Sequence, residues 1–455
     1  MKTERGPSRA SGSALASTRT KIASWSFTLP TSTDLLRYDG DDLRWSQRPE
    51  PVIPRGAGRS YGDAAYVTGG VTLASSRLRR ILDLDDETGT IRCEAGVEMG
   101  ALHRFLEETD WSFPIFGGTQ WATLGGATAS DIHGKNHVAD GSFGHHVAEL
   151  EIVLGSGDTV LCSPEVNADL FRATIGGMGL TGFVKSVTLR LQPARSSVVR
   201  MRSSTVKGVP AFVDALMGSD DRFQFVSCVK PGTPATDVAI HPRANHAEPE
   251  GPVPSAREPI EVPLPTLRFK RLQLMHVGMS GFRRVQLRMY GNTDKLTHVR
   301  DYNYIGLHEV IKNVNHLLGS FIEYQFVVPA GDVQAAWSEL IRMADRRRVT
   351  CRGYVFKRLG PMPGVGLLSF PAEGVTASMF APDTVPTRRL FRDFTDALIE
   401  MGGRVYLAKD SCISARQLEA MYGDQLDAWR SIVSSYDPGN RVRSDMSRRL
   451  AMKPW

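Results

Sequence analysis

The stretch GGTQWATLGGATASDIHGKNHVADGSFG, Gly117–Gly144, decides how this chain is read. It carries seven glycines and a compact polar cluster of Asp131, His133, Lys135, Asn136 and His137. Glycine lacks a Cβ and tolerates positive φ, so this density lets backbone amides approach a ligand closely. The small residues Ala122, Thr123, Ala127, Thr128, Ala129 and Ser130 keep the surface thin around them. Such a stretch reads as the cradle of a large flat or phosphorylated cofactor.

On its N-terminal side, the apolar pair Val52-Ile53 runs into Arg55-Gly-Ala-Gly-Arg-Ser-Tyr-Gly-Asp63. The glycines and Ser60 can form a nest of backbone donors for a pyrophosphate, with a plain surface turn as the alternative. On its C-terminal side, Gly177 to Gly182 contains a formal GxGxxG. A dinucleotide fingerprint needs a strand before the glycines and a helix after them. Here a helical pattern, Asn167–Thr174, comes first and a strand with Val187, Leu189 and Leu191 follows, so a nicotinamide site is not expected. His133, His137, His145 and His146 lie close together, but the glycines around them oppose a helix face and no HExxH is present. No metal site is expected.

A chain of 455 residues implies two or three domains. Its 41% hydrophobic and 23% charged content is that of an ordinary soluble protein. The net charge of +6 comes without a dense Lys/Arg tract, so no nucleic-acid partner is expected. Cys93, Cys162, Cys228, Cys351 and Cys412 are scattered and form no CxxC, which argues for a reducing compartment. Residues 1–24 read as a disordered basic tail without the apolar core of a signal peptide. No window approaches 18 apolar residues, so the expected location is the cytoplasm, at most peripheral at the inner membrane face.

The pattern divides the rest at 195 and 403. Residues 25–195 hold strands at Ile81–Asp85 and Thr90–Ala95, a helix at Glu98–Glu108 with Met99, Leu102 and Leu106 on one face, and a hairpin of Leu150–Leu154 and Thr159–Cys162. Residues 196–403 read as a second α+β domain with an antiparallel sheet. It has strands at Phe223–Val229, Val285–Tyr290, Tyr324–Val328 and Tyr354–Lys357, a Pro-rich loop over 231–265, and helices starting after Asp332 and at Thr387. Residues 404–455 open with a strand, Arg404–Ala408, followed by a capping box, Ser414-Ala-Arg-Gln417.

Four stretches together resemble the flavoproteins of the vanillyl-alcohol oxidase type: Arg55–Asp63, Gly125–Gly144 with Asp131-Ile-His-Gly-Lys-Asn-His137, Gly176–Gly182, and Ala408-Lys-Asp-Ser411 with Ser444-Asp-Met-Ser-Arg-Arg-Leu450. Within that family the chain looks most like the enzymes that oxidise decaprenylphosphoryl-β-D-ribofuranose at its 2-hydroxyl, the flavin half of a ribose-to-arabinose epimerase. The resemblance implies an α+β fold in which a two-part FAD-binding domain, 25–195 completed by 404–455, carries an inserted antiparallel-sheet substrate domain, 196–403. It implies that FAD is held by Arg55, Gly56, Ala57, Gly58, Arg59, Ser60, Tyr61 and Gly62, and by Gly118, Thr123, Leu124, Gly125 and Gly126. Ser130, Asp131, Ile132, His133, Val184 and Tyr406 are expected to line the rest. Several relatives carry at the Arg59 position a histidine bonded to the flavin; arginine forms no such bond, so the FAD is expected to be non-covalent.

The chemistry so implied is hydride transfer from a secondary carbinol to the flavin. Lys409 is the first candidate to take or stabilise the hydroxyl proton, with Gln325, Lys135 and His133 beside it. Lys357 and Ser378 are expected at the substrate, and a lysine suits a phosphate by simple charge attraction. The implied partners are a sugar or glycosyl phosphate, possibly polyprenyl-linked, and a short-chain reductase that completes the epimerisation. One segment departs from the pattern. Where the closest members have Gly-Trp-Asn-Ile-Cys, this chain has Gly374-Val-Thr-Ala-Ser378, and the region near Tyr302–Leu307 differs as well. A different sugar or sugar alcohol therefore stays open as substrate, as does a non-catalytic sugar-phosphate-binding role.

Overall fold

The computed structural model describes residues 17–39, 43–218, 223–230, 238–249, 251–252, 254–257, 291–304 and 319–454. Strands β1 (Thr18–Ile22), β2 (Thr31–Arg37), β3 (Val52–Arg55) and β4 (Val71–Ala74) form a first sheet in the order β1-β2-β4-β3. Within residues 1–24, expected as a disordered tail, Thr18–Ile22 is therefore a strand. Residues 18–22 alternate Thr and Ile with Arg and Lys, a half-buried strand pattern, and pair antiparallel with Thr31–Leu35.

The second sheet is antiparallel, in the order β5-β6-β10-β8-β9. It comprises β5 (Ile81–Asp85), β6 (Thr90–Glu94), β8 (Val147–Val153), β9 (Thr159–Cys162) and β10 (Phe183–Arg190), while the short β7 (Trp111–Ser112) pairs with β11 (Gln192–Pro193). Helix α1 (Met99–Leu106) buries Met99, Leu102 and Leu106, as its spacing predicts. Helix α2 (Leu124–Ser130) lies inside the glycine-rich stretch, and α3 (His137–Asp140) and α4 (Ala168–Thr174) follow.

The third sheet is antiparallel throughout. It is built from β12 (Val198–Lys207), β13 (Phe225–Val226), β14 (Cys228–Lys230), β15 (Val238–His246), β16 (Thr293–His298), β17 (Phe321–Val328), β18 (Arg352–Leu359), β19 (Gly374–Pro382) and β20 (Arg404–Val405). The order is β16-β12-β15-β14-β18-β19-β17-β20, with β13 on β15. Strand β15 falls in the Pro-rich run expected as a loop, and the strand expected at 285–290 lies outside the described residues. Helices α5 (Val209–Met217), α6 (Val299–Asn303), α7 (Val333–Arg346) and α8 (Val385–Glu400) accompany this sheet, α7 burying Val333, Trp337, Leu340 and Ala344.

The tail does not open as the expected five-residue strand. Pairing with β17 stops at Val405, Tyr406 N donates to Gln325 O at 2.9 Å, and Leu407–Lys409 turns into a 3-10 helix. Lys409 therefore sits on a turn. Helices α9 (Ala415–Tyr422), α10 (Asp424–Tyr436) and α11 (Asp445–Arg449) follow, and the expected capping box is present: Gln417 N donates to Ser414 Oγ and Ser414 N to Gln417 Oε1. The chain then returns to the first sheet, where Arg443 N donates to Val52 O at 2.9 Å. The change near 195 marks a change of sheet, whereas beyond 403 β20 still belongs to the third sheet; one apolar core joins Leu73, Phe326, Trp337 and Leu426 across these boundaries. Among the described residues no helix is long and apolar enough to cross a membrane.

Candidate active site

A cleft of about 1400 Å³, counting its open mouth, runs between the glycine-rich segments and the third sheet. Its N-terminal wall is the turn Arg55–Tyr61. The amides of Gly56, Ala57, Gly58 and Ser60 have no hydrogen-bond partner among the described residues, whereas Tyr61 N is taken by Ala408 O at 2.9 Å. Unpartnered donors crowded on a cleft wall fit an anion such as a pyrophosphate. Gly62 lies behind this wall. A Cβ there would overlap the Asp410 carbonyl oxygen, so glycine is required where the turn meets the tail. Arg449 fastens the same junction, reaching Asp63 at 2.7 Å and Asp410 at 2.9 Å.

The opposite wall uses the 117–144 stretch, but differently from expectation at several residues. Gly118, Thr123, Gly125, Gly126, Ser130, Ile132 and His133 line the cleft. Nothing lies within 4 Å of a Cβ built on Gly118, so its bareness faces open space. Leu124 is instead core, and its amide and that of Gly125 are spent on Val97 O and Ala95 O at 2.8 Å each. Gly126 N is held by the Thr123 side chain at 3.3 Å. These three amides are spent within the protein, and the residues shape the wall. Asp131 ends α2 at φ 42° and accepts from Gly144 N at 2.8 Å. It braces the loop from behind, and burial pushes its carboxyl up. Val184 and Tyr406 line the cleft, and Tyr406 donates from its hydroxyl to Ser130 O at 2.9 Å.

At the far end the third sheet closes the cleft with Gln325 and Lys357, beside Lys409 on the turn after β20 and His133 of the 117–144 stretch. Gln325 Nε2 donates to Thr376 Oγ1 at 2.9 Å and lies 2.9 Å from His133 Nε2. Burial, and after it the charge of Lys357, holds the His133 imidazole well below its usual range, so it is neutral. Its Nδ1 is buried without a partner, a polar atom the protein itself leaves unsatisfied. Lys409 ion-pairs with Glu323 and donates to Ser378 Oγ at 3.2 Å. Ser378 and Glu323 stand behind Lys409 and do not line the cleft. Lys135 also turns away, donating to Tyr302 O at 2.5 Å with Nζ 4.4 Å from the Tyr302 ring. Burial pulls Lys135 down to about 8 and Lys357 to about 7, the latter helped by the charges of Lys409 and Lys135.

Residues 43–163 match the family model described as an FAD binding domain, and residues 371–450 match that of D-arabinono-1,4-lactone oxidase. A Streptomyces coelicolor protein described as uncharacterised is 30% identical over 77% of this chain and 100% of its own length. The decaprenylphosphoryl-β-D-ribose oxidase of Mycolicibacterium smegmatis is 28% identical over 96% of this chain and 98% of its own. The chain belongs to the FAD-linked oxidoreductase family. Mouse L-gulonolactone oxidase is 28% identical over 40% of each chain.

FAD is the cofactor of this FAD-linked oxidoreductase, and the residues present fit it. Free amides meet the need for phosphate donors, Gly118 gives close approach, and the orphaned atoms Ser75 Oγ and His133 Nδ1 belong to residues on the cleft wall. Arg59 lies on the same wall with its guanidinium 4.3 Å from the centre of the Trp25 ring. Sequence reading missed Glu323 and Ser75. Glu323 had one legible signal: with Gln325 it is a second polar residue at period two in the apolar run Phe321–Val328.

Proposed function

We propose that this FAD-dependent oxidoreductase converts the 2-hydroxyl of a furanosyl phosphate such as decaprenylphosphoryl-ribose to a 2-keto sugar, the first half of an epimerisation. A short-chain reductase would return the ketone as the epimer. The observation that carries the reading is the placement of Lys409, Gln325, Lys357 and His133 on the wall that closes the cofactor cleft. End-to-end similarity to the mycobacterial oxidase supports the choice of substrate.

Bound FAD supplies a two-electron acceptor for the hydride leaving the carbinol carbon. Lys409 offers an N–H to the carbinol oxygen and steadies the negative charge that grows there, while the hydroxyl proton leaves through the open mouth. Neutral His133 packs against Tyr406 and Phe370, with ring centres 5.3 and 5.2 Å away, and serves as a positioned wall group. Lys357 receives the phosphate. The FAD is dissociable, since Arg59 forms no bond to it. Cys93, Cys162, Cys351 and Cys412 are free and buried, in keeping with action in the cytoplasm, with at most peripheral membrane contact.

The lactone-oxidase match over 371–450 and the altered Val375, Thr376 and Ser378 favour a second reading, oxidation of a different sugar or lactone precursor. An absorbance spectrum before and after acid precipitation, then anaerobic addition of candidate sugars, decides between them. Yellow colour released to the supernatant and bleached by a ribofuranosyl phospholipid is the expected result. Bleaching by other sugars alone would discard the substrate and keep the enzyme class, and a protein that takes up no FAD would remove the reading.

A further inference from the structure

Lys409, one of the two lysines that line the cleft, is clamped from behind. Glu323 on β17 ion-pairs with Lys409, and the Ser378 hydroxyl on neighbouring β19 donates to the same carboxylate oxygen at 2.5 Å. The nearby Tyr61 phenol also favours the charged form of Glu323. Burial works to raise the Glu323 carboxyl, but the Lys409 charge and these hydrogen bonds outweigh it and hold it below the ordinary carboxylate range. Side-chain exposure is 13% for Glu323 and 23% for Lys409, and only Lys409 lines the cleft. An ammonium has three N–H donors. Two are spent behind the wall, on Glu323 and Ser378, and one remains.

The same pairing settles the charges around it. Lys409 and Glu323 cancel, and Lys135 is spent on the Tyr302 carbonyl. Lys357, on β18 opposite Thr376, has no side-chain hydrogen bond or ion pair to any described residue and lines the cleft. The titratable groups that act on it are Lys409, Lys135 and Glu323, and it acts in turn on His133 and His137.

We propose that Glu323 is the positioning residue of this site: it clamps Lys409 with one N–H presented to the reacting oxygen, and by cancelling that lysine's charge it makes Lys357 the receptor of the substrate's phosphate. The second half rests on the glycosyl-phosphate reading above. The first half does not. Removing the carboxylate leaves a partly buried ammonium without its partner. Lys409 then becomes a second attractor for anions and loses its fixed aim. Phosphate affinity and turnover therefore move in opposite directions, which a carboxylate of merely structural importance does not produce.

The test uses the yellow holoenzyme labelled with 13C at the lysine ε-carbons, with resonances assigned by Lys357→Met and Lys409→Met, and inorganic phosphate as the probe. In the wild type, phosphate should move the Lys357 resonance and leave Lys409 in place. In Glu323→Gln both should move, phosphate should bind at least threefold tighter, and kcat with whichever sugar bleaches the flavin should fall at least tenfold. Glu323→Asp should restore part of both. Unchanged phosphate affinity in Glu323→Gln, movement of Lys409 in the wild type, or a silent Lys357 at saturating phosphate overturns the proposal. If Glu323→Gln does not fold, Ser378→Ala keeps the carboxylate and removes one contact of the clamp. It should lower kcat without tightening phosphate, and an unchanged kcat would overturn the clamp. The phosphate measurements need no sugar, so their outcome stands even if the substrate assignment is wrong.

Discussion

The two walls of the cleft are built on opposite principles. The cofactor wall works through backbone: amides of Gly56, Ala57, Gly58 and Ser60 that are free among the described residues, bare Cα positions such as Gly118, and side chains that mostly brace from behind. The wall proposed to meet the substrate works through side chains: Gln325 on β17 is held by Thr376 on β19 and Lys409 on the turn after β20 by Glu323 on β17, while the Lys357 side chain on β18 has no partner among the described residues. A backbone wall tolerates change in side chains but not in glycines. A side-chain wall tolerates a change of backbone neighbour but not the loss of an aiming partner.

The sharpest way to break this contrast is Lys409→Met. Loss of a donor aimed at the developing oxyanion should lower kcat by about 10²–10³ while FAD stays bound, read by flavin absorbance and anaerobic reduction. An unchanged rate would move the chemistry off the side-chain wall. A smaller effect separates two glycines on the backbone wall. Gly62→Ala collides with the Asp410 backbone and should cost about 1–3 kcal/mol of stability, seen as a lower Tm with and without FAD. Gly118→Ala meets no protein atom and should leave the Tm of the FAD-free protein alone, while weakening FAD binding by about tenfold. If both variants behave alike, the amide cradle is not where the structure puts it.

Lys357 gives a pH signature confined to the side-chain wall. Burial brings it to about 7 in the folded protein, so it is charged below that pH and neutral above. KM for a phosphorylated substrate should rise above pH 7 by up to about tenfold per unit, while KM for the dephosphorylated sugar stays level. The stability effect has the matching sign. The unfolded lysine keeps its proton to about 10.4, so the folded state is penalised in full below pH 7 and the penalty fades between 7 and 10. Lys357→Met should therefore raise the Tm of the FAD-free protein more at pH 6 than at pH 9. The smallest expected effect lies away from both walls. Ser414→Ala removes the α9 cap and should cost about 1 kcal/mol without touching FAD affinity or KM.

The difference between the walls is also the difference in what could be read beforehand. Glycines, small residues and helical spacing act within a few residues of themselves, so the cradle, the faces of α1, α7 and α8, and the capping box at Ser414 were legible in order along the chain. The alternation at Thr18–Ile22 was equally local but masked by basic composition. Lys135 and Ser378 show the limit. Each was named from its place in a motif, and only the fold turned Lys135 towards Tyr302 and Ser378 towards Glu323.

By itself, then, the sequence determined that this chain cradles a large cofactor in a glycine-rich α+β frame, because glycine freedom and apolar periodicity are properties of neighbours in the chain. Only the tertiary structure decided which amides stay free, which of three lysines keeps its charge unanswered, and that Glu323 stands behind Lys409. Those outcomes depend on pairs such as Glu323 with Lys409, 86 residues apart, whose meeting is set by strand register and by the turn at Leu407–Lys409. Hydrogen bonds and ion pairs reach only a few ångströms, so no pattern along the chain records them until the fold brings the partners together.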